Sequence, residues 1–236
     1  MKKILTIAAA AALVALSMTS CGGSKALRTD VDTLSYALGT DFGASLLRLV
    51  NSVEDELNMD LFYAGVNDAL KEDVAIEQQE AFAFLRNYMN VVNPQKALAA
   101  SEAYLADVLK SNPEVKQTES GLLYQIVNEG NAEKKATLDT DKVKVHYEGK
   151  LRSGKVFDSS YERGEPAEFA LNQVIKGWTE GMKLVGEGGE IKLWIPANMA
   201  YGVRGTRDGS IGPNQAISFT VEVLEVIPTE AKEEAK

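Results

Sequence analysis

The spacing of apolar residues changes part-way along this chain of 236 residues, and that change constrains the fold more than any other feature. Between Thr29 and Ser111, apolar residues recur every three or four positions, which is the period of an amphipathic helix. From Glu119 onward they alternate with polar residues, as in half-buried strands, and glycines are frequent. The sequence therefore predicts an α+β protein, with an all-α region (29–117) before an antiparallel β-sheet region (118–228).

Three apolar stripes run through the helical region. They comprise Val31, Leu34, Leu38, Phe42, Leu46 and Leu49; Leu57, Leu61, Val66 and Leu70; and Ala81, Leu85, Tyr88 and Val92. Each predicts an amphipathic helix, and Asn58 is placed to cap the second. Three short helices have little interior of their own, so we expect a dimerisation domain that shares its core with a second copy. Gly39 and Gly43 would let two helix backbones approach closely; a monomeric bundle is the alternative.

The dipeptide Asn93-Pro94 interrupts the third stripe. Proline removes a backbone hydrogen bond, so we expect the helix to kink or restart here, with Asn93 as the cap of the restarted helix. The helical pattern then continues through Leu98, Leu105 and Leu109, which predicts a connecting arm.

The second region contains several alternating stretches and one helical stretch. The strand patterns are GLLYQIVNEG, VKVHYEGKL, AEFAL, GGEIKLWIP and AISFTVEVLEV, and the helical one is NQVIKGWTEGMKLV. This order predicts an antiparallel sheet wrapped on one short α-helix. Residues 229–236 are predicted to form a charged, disordered tail.

The N-terminal residues have the pattern of an export signal. Lys2 and Lys3 precede an apolar run that is too short to span a bilayer, which predicts a signal peptide at 1–20. The stretch LSMTSCGGS resembles a bacterial lipoprotein signal, in which Cys21 would be lipidated and residues 21–28 would form a flexible tether. An ordinary signal with an incidental Cys21 is the alternative. Because Cys21 is the only cysteine, neither an intramolecular disulfide nor a thiolate metal cluster can form.

The net charge argues against nucleic acid as a partner. It is −9 at pH 7, and loss of Lys2 and Lys3 with the signal peptide would make it about −11. Such a charge repels phosphate backbones.

Six segments of the second region occur in a specific order: VHYEG, GKVFDSS, PAEFAL, NQVIKGWTEGMKLV, IPANMAYG and AISFTVEVLEV. In this order and spacing they resemble the FKBP-type peptidyl-prolyl cis-trans isomerases. The stretches TLSYALGTDFGASL and DLFYAGVNDAL are similar to the helical region of the long, macrophage-infectivity-potentiator-like bacterial members. Together the resemblance covers nearly the whole mature chain.

The resemblance implies which residues form the site. The prolyl ring would be held by Tyr147, Phe157, Val174, Ile175, Trp178 and Phe219, with Ile211 closing the rim. Asp158 would lie beside the carbonyl of the bond being twisted, and Tyr201 would donate its hydroxyl to a substrate carbonyl. The backbone N–H of Ile175 would fix the segment after proline. No metal or cofactor is implied.

The chain's one histidine adjoins this set in sequence. Strand alternation points His146 to the opposite face from Tyr147, so we expect His146 to be a packed or hydrogen-bonded residue rather than a general base.

The resemblance thus implies an isomerase that assists the folding of exported proteins. Its expected location is the bacterial cell envelope, lipid-anchored to the outer membrane and facing the periplasm. Its partners would be unfolded or proline-containing polypeptides, the membrane through the lipid anchor, and a second copy of the chain. The alternatives are a dimeric chaperone or binding module with weak or no isomerase activity, and a surface adhesin.

Overall fold

The computed structural model describes residues 26–50 and 52–229. The expected signal peptide, the lipidation site Cys21 and nearly all of the charged tail lie outside these residues. Across the described ranges, no helix combines the length and the apolar character needed to cross a membrane.

Four α-helices make up the helical region: α1 (Asp30–Val50), α2 (Met59–Leu70), α3 (Gln78–Asn87) and α4 (Asn93–Ser111). The start of α1 is a reciprocal cap, because the Asp32 N–H donates to Thr29 Oγ1 at 3.0 Å while the Thr29 N–H donates to Asp32 Oδ2 at 3.0 Å. Asn58 caps α2 as predicted, with Oδ1 accepting from the Leu61 N–H at 3.1 Å. The chain divides into two compact units, of which the first ends at Leu46 and the second begins at Leu47.

A π-helical turn, Tyr88–Val92, joins α3 to α4. The predicted restart capped by Asn93 is wrong. Asn93 has helical dihedrals (φ −61°, ψ −46°), and its backbone N–H donates to the Tyr88 carbonyl. In this turn each N–H bonds to the carbonyl five residues earlier instead of four. Pro94 has no N–H to donate, but the wider turn in front of it accommodates this, so the helix continues.

The second region is an antiparallel sheet. In chain order its strands are β1 (Lys116–Gln117), β2 (Leu123–Asn128), β3 (Asn131–Lys135), β4 (Lys142–Leu151), β5 (Val156–Ser159), β6 (Ala167–Ala170), β7 (Gly186–Glu187), β8 (Glu190–Ile195) and β9 (Ile217–Ile227). The main sheet has the order β1-β2-β8-β9-β4-β5, with β6 also paired to β4, while β3 and β7 form a separate pair. The predicted antiparallel sheet and α+β class are confirmed.

Two short helices are described in this region: α5 (Ser160–Arg163), a single turn after β5, and α6 (Lys176–Gly181), which packs against β8. A Cβ on Gly177 would lie 2.4 Å from Ile195 Cγ2, and one on Gly181 would lie 2.7 Å from Leu193 Cδ2. Glycines therefore let this helix approach the sheet closely. Between helix and sheet, the inward-facing residues of β4, β8 and β9 are buried with Trp178, so the core of this region lies directly beneath α6.

Candidate functional site

A cavity of about 570 Å³ opens beside α6. Its walls come from β4, β5, β6, β9, α6 and the segment after β8. The lining residues are Tyr147, Phe157, Asp158, Phe169, Gln173, Val174, Ile175, Lys176, Trp178, Asn198, Ala200, Tyr201 and Phe219. Most of them are apolar or aromatic, and the few polar groups sit among them, which is typical of a small-ligand site.

Five aromatic rings form the inner wall of the cavity. The Trp178 ring is central: its centroid lies 5.2 Å from that of Tyr147, 5.4 Å from Phe169 and 5.2 Å from Phe219. Phe157 meets Phe219 edge-on at 5.6 Å. These edge-to-face pairs are favourable beyond the area they bury, so they hold the wall in one arrangement.

Gly149 allows two of these rings to meet over β4. It pairs with Asp158 of β5 and with Phe219 of β9. A Cβ at Gly149 would lie 2.7 Å from both Phe157 Cζ and Phe219 Cε1, which is far inside ordinary contact. The absence of a side chain at this position is therefore part of the cavity's construction.

The carboxylate of Asp158 is fixed at the edge of the aromatic wall. The Tyr147 hydroxyl donates to Asp158 Oδ2 at 2.5 Å, and Arg163 donates to Asp158 Oδ1. Arg163 also donates to the Tyr147 hydroxyl oxygen at 2.8 Å, and its guanidinium lies 5.3 Å from the Tyr147 ring centre. Burial, followed by the bond to Asp158, raises the pKa of Tyr147. The tyrosine thus stays protonated and keeps donating to the carboxylate.

Tyr201 contributes a hydroxyl without a partner in the described part of the chain. Its side chain is 37% exposed and lines the cavity. Burial raises the pKa of Tyr201, and the negative charges of Asp158 and Asp208 raise it further. The hydroxyl is therefore a protonated donor that can serve a bound carbonyl.

The N-terminus of α6 supplies a second donor. Ile175 is the residue before the helix, with extended dihedrals (φ −64°, ψ 149°), and it lines the cavity with Val174. Within the described residues, the Ile175 N–H has no hydrogen-bond acceptor. It can donate to a ligand backbone.

All but one of the substrate-site residues expected from sequence line this cavity. The exception is Ile211, which is 1% exposed and packs in the core cluster instead. Its backbone is tied to Thr206, whose N–H donates to the Ile211 carbonyl at 2.9 Å and whose Oγ1 accepts from the Ile211 N–H at 3.0 Å.

Several residues at the site were not expected from sequence. Phe169 lies in the wall, and Arg163 bridges Asp158 and Tyr147. The alternation of AEFAL placed Phe169 on one face of a strand but did not show which face met the cavity. Arg163 ends α5 (Ser160–Arg163), a single turn that follows β5 directly. A prediction of this helical turn would have placed Arg163 close to Asp158.

His146 lies outside the cavity lining. Its Nδ1 is 3.0 Å from Ser160 Oγ, and its ring stacks on Tyr161 with centroids 4.7 Å apart. The packed and hydrogen-bonded surroundings agree with the scaffold role expected from strand alternation.

Comparison with known proteins identifies the family of the chain and agrees with its fold. A family profile described as FKBP-type peptidyl-prolyl cis-trans isomerase matches residues 133–224, and one described as the domain amino terminal to that isomerase matches residues 31–126. FkpA of Escherichia coli, named as an FKBP-type peptidyl-prolyl cis-trans isomerase, is 38% identical over 98% of this chain and 88% of its own. "Outer membrane protein MIP" of Legionella longbeachae is 32% identical over 96% of this chain and 98% of its own.

The crystal structure of E. coli FkpA superimposes with a TM-score of 0.53 and 36% identity, covering 86% of this chain and 99% of that one. The chain belongs to the FKBP-type peptidyl-prolyl cis-trans isomerase family. It is a peptidyl-prolyl isomerase with a role in protein folding, and it carries the N-terminal helical domain as well as the catalytic one.

Proposed function

We propose that the cavity binds the prolyl ring of an X-Pro segment and that Asp158 and Tyr201 stabilise the twisted amide. One observation carries this proposal: the aromatic cavity has a fixed carboxylate at its edge, together with a tyrosine hydroxyl that has no partner among the described residues. A peptide assay of isomerisation with Asp158→Ala and Tyr201→Phe tests it.

The reaction explains why no nucleophile is needed. Rotation about an X-Pro bond has a barrier of about 18–20 kcal/mol, because amide resonance is lost in the twisted state. An enzyme accelerates it by binding the twisted amide more tightly than the planar one. Apolar walls and oriented dipoles are sufficient for this task.

Each polar group has a definite part in the proposal. The Asp158 carboxylate, held by Tyr147 and Arg163, lies beside the carbonyl of the rotating bond and interacts with its changing dipole. The Tyr201 hydroxyl donates to a substrate carbonyl, and the Ile175 N–H holds the chain after proline. Since these groups are held by the fold, they need little reorganisation as the bond twists.

A binding module with weak or no isomerase activity is the alternative. Its support is an apolar groove of about 710 Å³ between α2 and α3, lined in part by Leu61, Val74 and Ile76. Such a groove suits unfolded chains. Yet a cavity that only bound apolar side chains would gain nothing from a fixed carboxylate at its edge, which favours catalysis.

The helical region supports a homodimer. Among residues 26–50 and 52–92, no apolar side chain is buried, and Val31, Leu61 and Leu70 are 69%, 70% and 80% exposed. Apolar stripes of this extent mark surfaces that another chain covers.

Light scattering is expected to show a dimer, and Gly43→Leu should weaken it if α1 approaches a partner backbone closely. A wild-type monomer at micromolar concentration would refute this.

The cell envelope is the proposed location. The Legionella longbeachae relative is named as an outer membrane protein, and residues 1–20, just before Cys21, have the sequence pattern of an export signal. Lipidation of Cys21 would add enough buried CH₂ groups for stable anchoring. Cys21→Ala should then move the protein from the membrane fraction to the soluble one or leave it unprocessed. A wholly soluble wild type would contradict the anchor.

A further inference from the structure

Helix α4 is hydrogen-bonded to the end of the loop that leads from Tyr201 to β9. Ser101 on this helix is 2% exposed. Its Oγ donates to the Asn214 carbonyl at 2.8 Å and accepts from the Ala216 N–H at 2.9 Å. One hydroxyl therefore joins two backbone groups, which makes α4 more than a connecting arm.

Asn214 closes the loop on itself. Its backbone N–H donates to the Gly202 carbonyl at 2.9 Å, so the two ends of the loop meet there. Its φ is 55°, in the left-handed region that asparagine tolerates better than most residues. Its side-chain Nδ2 donates to the Pro94 carbonyl at 2.9 Å, which gives α4 a second hold on the same residue.

The beginning of α4 is itself anchored. Asn93 is 1% exposed, with Nδ2 donating to the Ser52 carbonyl at 2.9 Å and Oδ1 accepting from the Glu54 N–H at 2.8 Å. The Glu54 carboxylate pairs with Arg152 and accepts from Gln215 Nε2 at 3.3 Å. These bonds prevent α4 from shifting independently of the loop.

Two cavity residues flank this network in sequence. Tyr201 immediately precedes Gly202, and Phe219 lies on β9, shortly after Ala216. Ser101 does not line the cavity itself. Any effect of Ser101 on the reaction must therefore be transmitted through the ends of the loop.

We infer that Ser101 is a positioning residue: together with Asn214 it fixes the ends of the 202–214 loop and so holds the Tyr201 hydroxyl where it donates to the substrate carbonyl. This inference rests on the proposed role of Tyr201. Ser101 acts on the orientation of a donor rather than on the aromatic walls, so its removal should affect kcat more than KM.

A double-mutant cycle in the full-length protein tests the coupling. Ser101→Ala removes the hydroxyl at nearly constant volume, and we expect kcat on a proline peptide to fall about fivefold with KM nearly unchanged. In a Tyr201→Phe background, Ser101→Ala should lower kcat by less than about twofold, because the donor it orients is gone. Asn214→Gly keeps the positive φ but loses the bond to Pro94, and it should lower kcat in the same way.

Ala97→Gly is the matched control. Ala97 is buried one helical turn before Ser101, so glycine there weakens α4 and its packing while both Ser101 bonds remain. It should lower the Tm without lowering kcat. Ser101→Ala and Asn214→Gly with wild-type kcat, or a full Ser101→Ala effect in the Tyr201→Phe background, would overturn the inference. If Tyr201→Phe alone changed nothing, the proposed role of Tyr201 would fail first.

Discussion

Gly149→Ala is the substitution whose effect can be worked out most directly from the geometry. The new Cβ would lie 2.7 Å from Phe157 Cζ and 2.7 Å from Phe219 Cε1. Carbon atoms in contact prefer about 3.5–4.0 Å, so the rings must separate from β4 by about 1 Å. Phe219 is held by Trp178 and Tyr147, with centroids at 5.2 and 6.2 Å. Phe157 is less buried and is the ring expected to move.

The cost falls on stability and on substrate binding together. Overpacking of this kind lowers the free energy of unfolding by about 1–3 kcal/mol. Because Phe157 belongs to the cavity wall, we also expect kcat/KM on a proline peptide to fall about tenfold, equivalent to 1.4 kcal/mol, mainly through KM.

The measurement combines a peptide isomerisation assay with thermal unfolding. Lys150→Ala is the control, since it changes the next residue of β4 but removes only an exposed ion pair with Glu148. Its Tm and kcat/KM should match the wild type. If Gly149→Ala also matched the wild type in both, the proposed ring contact over β4 would be wrong.

Three further outcomes follow from the site. Trp178→Ala removes the central ring of the wall, so the free energy of unfolding should fall by about 3–5 kcal/mol in denaturant titrations; a loss below 1 kcal/mol would contradict its place in the core. His146→Gln should keep kcat/KM within about twofold, and loss of turnover in a folded variant would show that the histidine is catalytic. Burial raises the pKa values of Tyr147 and Tyr201, so the folded chain holds these protons more tightly than the unfolded one. Their contribution to stability should be complete below about pH 10 and lost as pH rises through the folded pKa, and kcat/KM should not decline from tyrosine ionisation below about pH 9.5. A decline centred near neutral pH would assign the reaction to another group.

The sequence predicted the elements whose pattern is local. Apolar periods of three to four and of two indicated helices and strands, and Asn58 capped the helix it was expected to cap. The resemblance to the family then predicted that residues of β4, β5, α6 and β9 share one site, and they line one cavity. These residues lie within recognisable segments, so resemblance could locate them one by one.

Features that depend on distant contacts were not predictable in this way. β3 has the polar sequence NAEKK, and its pairing with β7 leaves no apolar alternation to detect. The side-chain bonds of Asn93 depend on Ser52 and Glu54, far away in sequence. The bridge from Arg163 to Tyr147 and the burial of Ile211 likewise depend on how separate segments pack.

The most direct test of the proposed site is the rate of cis/trans isomerisation of a short proline peptide with the purified mature protein. The wild type should accelerate the reaction. Asp158→Ala and Tyr201→Phe should each remain folded and lower kcat/KM roughly 5- to 30-fold, which corresponds to a loss of about 1–2 kcal/mol of transition-state stabilisation. Wild-type rates in both folded variants would contradict the assignment of these two groups to the twisted amide.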